Sequence, residues 1–203
     1  TVRQAMRTAT YWLLAVAIGL RLSISAGVSL HLVPMMVWKG MEEAVAAYLV
    51  GLLAFVNFPM RLVMGWMGDR WSRQKVASLG MLLGLLAMVL MLISTGSLWE
   101  MVLFIVMLGL TDSVNPLSWA LVGDFFGRRS FATLRGGVSM VTGLMSMVTP
   151  VFAGFIFDKT EGYFIALAVF IGFYAAASLI FWNLRRPGVG GRGQRIENRG
   201  VLG

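Results

Sequence analysis

Apolar residues run along the chain in six blocks, at approximately 10–37, 44–67, 76–94, 98–122, 137–157 and 163–184, with polar residues gathered in the short stretches between them. Each block is close to the ~20 residues that an α-helix needs to cross a bilayer core. The pattern therefore predicts an all-α, polytopic membrane protein of six transmembrane helices in one domain over residues 1–186. The first block is long for a signal sequence and runs straight into further spans, so a removable leader is not expected. The chain opens on Thr1 rather than Met, which predicts a truncated start. Beyond Arg186 the segment PGVGGRGQRIENRGVLG, residues 187–203, is rich in Gly and Arg and poor in apolar side chains, which predicts a disordered tail.

Composition agrees with that pattern and removes other classes. Of 203 residues, 58% are hydrophobic and 13% charged, with a mean hydropathy of +0.80; an average soluble domain is about 25% charged. The absence of cysteine excludes a disulfide framework, a thiol nucleophile and a cysteine metal site. His31 is the single histidine, so no metal cluster and no cofactor are expected. The net charge of +8 raises nucleic acid as a partner. Basic clusters alternating with apolar blocks read instead as the flanks of membrane helices, so the expected partner is the lipid bilayer and no nucleic acid. Nothing resembles a catalytic triad, a phosphate loop or a paired-carboxylate site, so the chain is not expected to be an enzyme.

The basic residues also orient the helices. With both termini cytoplasmic, Arg3, Arg7, Arg70, Arg73, Lys75, Arg128, Arg129, Arg135, Arg185, Arg186, Arg192, Arg195 and Arg199 lie inside. Arg61 then falls near the inner face, and only Lys39 and Lys159 lie outside, in loops that also carry Glu42, Glu43, Asp158 and Glu161. That asymmetry satisfies the positive-inside rule and predicts an integral protein of the cell membrane, inner or plasma. Trp12, Trp38, Trp66, Trp99 and Trp182 near the block ends suit interface anchors.

The stretch GWMGDRWSRQKV, residues 65–76, falls between the second and third blocks, on the cytoplasmic side of that arrangement. It resembles the G-x-x-x-D-R-x-G-R-R signature of the major facilitator superfamily, with Gly65, Asp69, Arg70 and Arg73 on the matching positions and Lys75 as a further cation. Ser72 stands where the family usually has Gly, and Gln74 where it usually has a cation. Full-length members have two six-helix halves, and this chain has six blocks and one copy of the signature. HLVPMM, DFFGRRSFATLRGG and PVFAGFIFDKTEGYF look like the C-terminal half, most like the branch of monocarboxylate porters and oxalate/formate antiporters. The resemblance implies a secondary transporter working by alternating access. The signature is taken to act there as a cytoplasmic latch. Asp69 would engage the start of the fifth helix, at Gly136 and Gly137 just after Arg135, or the arginines Arg128, Arg129 and Arg135. A plain topogenic turn would account for every residue in the stretch except Asp69.

Two charges fall at membrane depth, where charge is costly and marks pathways. Arg21 lies about ten residues into the first block and recurs with Ser25 and Ser29 every four residues, making one polar stripe. Asp112 and Asn115 share a face of the fourth block, and Pro116 leaves a backbone carbonyl without its helical donor. Because the corresponding helices line the central cavity in the superfamily, the resemblance sets Arg21 against Asp112. Such a pair is either structural, or a site where Arg21 binds an anionic solute and Asp112 takes up a coupling proton. Asn57 and Arg61, four apart on the second block, form a lesser candidate, since Arg61 is near enough to the inner face to snorkel. Gly80-x-x-x-Gly84, and Ser139, Thr142, Ser146 and Thr149 on the fifth block, read as close helix packing.

These readings give half of a secondary transporter for a small solute, an anion such as a monocarboxylate. The pathway residues are Arg21, Ser25, Asp112 and Asn115, and the gate residues are Gly65, Asp69, Arg70, Arg73, Lys75, Arg135 and Gly136. The missing six-helix half or a second copy would complete the cavity. The alternative is a helix bundle that transports nothing, either an assembly subunit or an inert fragment.

Overall fold

The computed structural model describes residues 2–127 and 130–184. Arg128, Arg129, Arg185 and Arg186, together with the tail 187–203, lie outside the described residues. A short helix α1 (Val2–Met6) precedes α2 (Ala9–Trp38), α3 (Glu43–Arg70), α4 (Arg73–Ile93), α5 (Leu98–Asp112), α6 (Asn115–Phe126), α7 (Phe131–Thr160) and α8 (Phe164–Asn183). No strand occurs among the described residues. Six helical spans are long and apolar enough to cross a membrane, with α5 and α6 together forming the fourth.

Local chemistry sets several ends. Thr8 caps α2 by accepting from the Tyr11 amide at 3.3 Å. Ser97 and Glu100 form a capping box at the start of α5, the Glu100 carboxylate accepting from the amides of Thr95 and Ser97. Lys39 donates its ammonium to the carbonyls of Leu92 and Ser94, at 2.9 and 3.1 Å, and so covers the C-terminal end of α4. Burial pushes that ammonium's pKa down, and the nearby Glu100 charge opposes the shift.

α2 is the central span. It packs along α7 and α8, while α4 packs along α8 and α5, and α3 along α5. Small residues allow the close approaches. A Cβ at Gly27 would meet Thr149 and Phe170, one at Gly80 would meet Val114, and one at Gly84 would meet Thr111 and the ring of Tyr174. Ser78 and Ser178 exchange hydrogen bonds between α4 and α8, each hydroxyl reaching the other's backbone carbonyl at 2.8 and 3.0 Å. His31 joins three elements, one ring nitrogen 3.0 Å from the Tyr163 hydroxyl and the other 3.1 Å from the Pro150 carbonyl.

Several helix ends run three or four residues past the sequence expectation, which puts Asp69 and Arg70 in α3 and Arg73 and Lys75 in α4, and two places differ more. α7 starts at Phe131, six residues before the expected start at Gly137, so Arg135 and Gly136 are inside the helix and no helix start lies at Gly136. The Tyr11 hydroxyl donates to the Leu134 carbonyl at 3.2 Å, and Arg135 stacks 4.9 Å over the Trp119 ring, which holds this added turn in place. The fourth span is interrupted at Ser113 and Val114. There the Val114 amide bonds three residues back, to the Thr111 carbonyl, rather than four.

Candidate functional site

Arg21 is the 13th residue of α2, Asn57 the 15th of α3, and Asp112 the 15th of the 29-residue span formed by α5 and α6. All three fall near the middle of their helices. Pro116 has no amide hydrogen, so the Asp112 carbonyl lacks its normal helical donor, and the span loosens where Asp112 sits. Side chains from α2 and a backbone carbonyl of α3 tie this interruption down. Arg21 donates from Nη2 to the Asn115 Oδ1 at 2.6 Å, and the Ser25 hydroxyl donates to the Asp112 Oδ1 at 3.2 Å. The Ser113 hydroxyl reaches the Asn57 carbonyl at 3.2 Å and the Gly109 carbonyl at 2.6 Å.

The four residues expected in the pathway therefore meet, but in a different pairing. Arg21 and Asp112 form no direct ion pair among the described residues; each bonds instead to a neutral partner across the interruption. Asp112 stands in the field of both Arg21 and Arg61. It also lines a cavity of about 410 Å³ together with Asn57, Arg61, Leu53 and Ala54. Arg21 does not line this cavity and is 2% exposed, with its Nε hydrogen unpartnered.

Arg61 is the residue that the sequence reading set aside. Its Nε donates to the Asn57 Oδ1 at 2.6 Å, one turn toward the N-terminus of α3 and the middle of the span. It does not snorkel to the helix end. The signal was available in the chain direction, since helical side chains lean toward the N-terminus and the N-terminus of α3 lies on the side away from the signature turn.

At the signature turn, Asp69 near the end of α3 pairs with Arg73 at the start of α4 at 2.9 Å. Arg73 also grips both carboxylate oxygens of Asp124, near the end of α6, at 2.9 and 3.0 Å. Asp124 is the partner that the sequence reading missed; it lies in DFFG, next to the arginines that drew attention. Among the described residues Asp69 does not engage the start of α7, and its alternative partners Arg128 and Arg129 lie outside them. Asp69 spends its charge on Arg73, and Arg135 is stacked on Trp119 and Phe131. Arg70 stacks 4.8 Å over Trp66, and Lys75 lies 5.7 Å from the Trp182 ring centre. Gly68 permits close packing against Leu117, whereas Gly65 and Gly136 face open space. A cavity of about 640 Å³ lies beside the network, bordered by Asp69, Ser72, Arg73 and Asp124.

Six membrane-capable spans, with a charged cavity at mid-span and a charge-bridged turn at one end, define a polytopic integral membrane protein. The family model of the Major Facilitator Superfamily matches residues 5–201, and the chain belongs to that superfamily. It is also similar to monocarboxylate transporter 6 of Homo sapiens, 27% identical over 161 residues, which covers 71% of this chain and 32% of that protein. The chain thus spans about a third of the length of that relative.

Proposed function

We propose that this chain forms one six-helix half of a secondary transporter that carries a small organic anion, such as a monocarboxylate, by alternating access. The observation that carries the reading is the mid-span cavity in which Arg61, hydrogen-bonded to Asn57, shares one wall with Asp112. A guanidinium presents a planar fork suited to a carboxylate. A volume of about 410 Å³ suits a small solute. Asp112, facing the same space, is the group that takes up a coupling proton. The similarity to a human monocarboxylate transporter supports the same substrate class.

The other half of the cavity comes from a second six-helix unit, either in the same polypeptide, in a separate chain or as a second copy. α3 and α7 are the least buried spans, and α3 turns Arg61 outward beside exposed Phe55, Phe58 and Leu62. A partner half over these faces encloses the solute. The signature end is cytoplasmic, in accord with the distribution of basic residues. The Asp69–Arg73–Asp124 bridge ties α3 and α4 to α6 at that end and serves as the gate.

The test is uptake of labelled acetate, pyruvate and lactate into proteoliposomes that hold the chain with its completing half, with and without an inward proton gradient. Uptake should rise with the gradient and fall about tenfold or more in Arg61→Ala, the loss of a charge-assisted hydrogen bond to the solute. Uptake that Arg61→Ala leaves unchanged would remove Arg61 from the pathway.

A further inference from the structure

We propose that Arg21 acts as a positioning residue: by holding Asn115 it fixes the interruption between α5 and α6 so that the Asp112 carboxylate faces the cavity. This rests on the reading of that cavity as the solute site. An arginine at membrane depth is costly, and its burial needs a return. Contact with the solute is not that return, because Arg21 is 2% exposed and absent from the cavity wall that Asp112 and Arg61 share. Neutralising Asp112 by direct pairing is not the return either, because its bond goes to the Asn115 side chain.

The location of that bond defines the role. The interruption has a weakened backbone, since Pro116 leaves the Asp112 carbonyl without a helical donor and Val114 bonds only three residues back. Two side-chain bonds from α2 clasp it from either side, Ser25 on Asp112 and Arg21 on Asn115. The opposite side is a wall, with Val114 against Gly80 and Thr111 against Gly84 on α4. A turn held between that wall and that clasp has one orientation. Ser25 holds the carboxylate by a single bond of 3.2 Å, so the shorter bond of 2.6 Å from Arg21 to Asn115 sets the aim of Asp112.

The chain has no cysteine, so one placed at Ala54, on the cavity wall, is a clean probe. In nanodiscs, the ratio of its reaction rates with cationic and anionic methanethiosulfonate reagents reads the potential that Asp112 creates there. Asp112→Asn should lower the cation-to-anion ratio about threefold, the effect of one unit charge across a small aqueous cavity. Asn115→Leu, which keeps the Arg21 charge but removes its handle, should shift the ratio the same way. Adding Arg21→Met to it should leave the orientation no worse, whereas a merely structural bond would lower the melting temperature and leave the ratio alone. Should Asn115→Leu fail to fold, Asn115→Ser, too short to reach the guanidinium, is read in its place. A ratio that responds to Asp112→Asn but to neither Asn115 variant overturns the positioning role. A ratio that does not respond to Asp112→Asn overturns the cavity reading beneath it.

Discussion

Arg73 sits between two carboxylates that hold it unequally. Asp69 is 71% exposed and offers one oxygen from the preceding helix, whereas Asp124 is 30% exposed and offers both. Exposed ion pairs contribute about 0.2–1 kcal/mol, and the less exposed pair, in which both Asp124 oxygens accept from one guanidinium nitrogen, stands at the upper end of that range. Asp124→Asn should therefore lower stability in thermal unfolding more than Asp69→Asn. The double variant should cost less than the sum of the singles, because both remove partners of one guanidinium. Equal costs would show that Asp69 holds a further partner of its own. The same scale explains why Arg61 was underrated. Counting residues from the membrane face placed it near the water, but the lean of its side chain along α3 carries it back to Asn57.

Among the elements, the third span shows how packing sorts residues that composition treats alike. Gly84 faces the buried ring of Tyr174 and the methyl of Thr111, each 2.7 Å from where a Cβ would stand. Gly65, in the signature, faces nothing within 4 Å. Gly84→Ala should cost about 1–3 kcal/mol through overpacking, while Gly65→Ala should be neutral or slightly stabilising, as replacing a helical glycine ordinarily is. Thermal unfolding in detergent checks both. A large loss at Gly65 would mean that this position packs against something outside the chain. The fourth span teaches the same lesson about backbone. Its Pro116 announces a weakened helix, but the direction in which the helix gives way depends on Val114 seating against Gly80.

For the whole molecule, the proposed orientation puts Ser72 inside the cell and Thr160 outside. Single cysteines at these positions, in intact cells treated with an impermeant thiol reagent, should label only at position 160. Labelling at 72 alone would invert the orientation and move the Asp69–Arg73–Asp124 bridge to the outer face. Both residues are exposed at helix boundaries, Ser72 just before α4 and Thr160 at the end of α7, outside the six-span core.

The number of spans and their membrane character could be read from the chain alone, because insertion into a bilayer depends on the apolar length of each segment separately. Helix ends were less legible. Apolar blocks measure the part of a helix that lies in hydrocarbon, and α7 continues past it, through Arg135 and Gly136, on contacts with Tyr11 and Trp119. Residue types for a mid-membrane site were likewise visible, since charge at that depth is rare. Their pairing was not: Arg21 with Asn115, Ser25 with Asp112 and Arg61 with Asn57 are set by the rotation of each helix about its axis and by the break at Ser113. Those rotations follow from side chains and glycines packing across three or four helices at once, and no single segment of sequence contains that information.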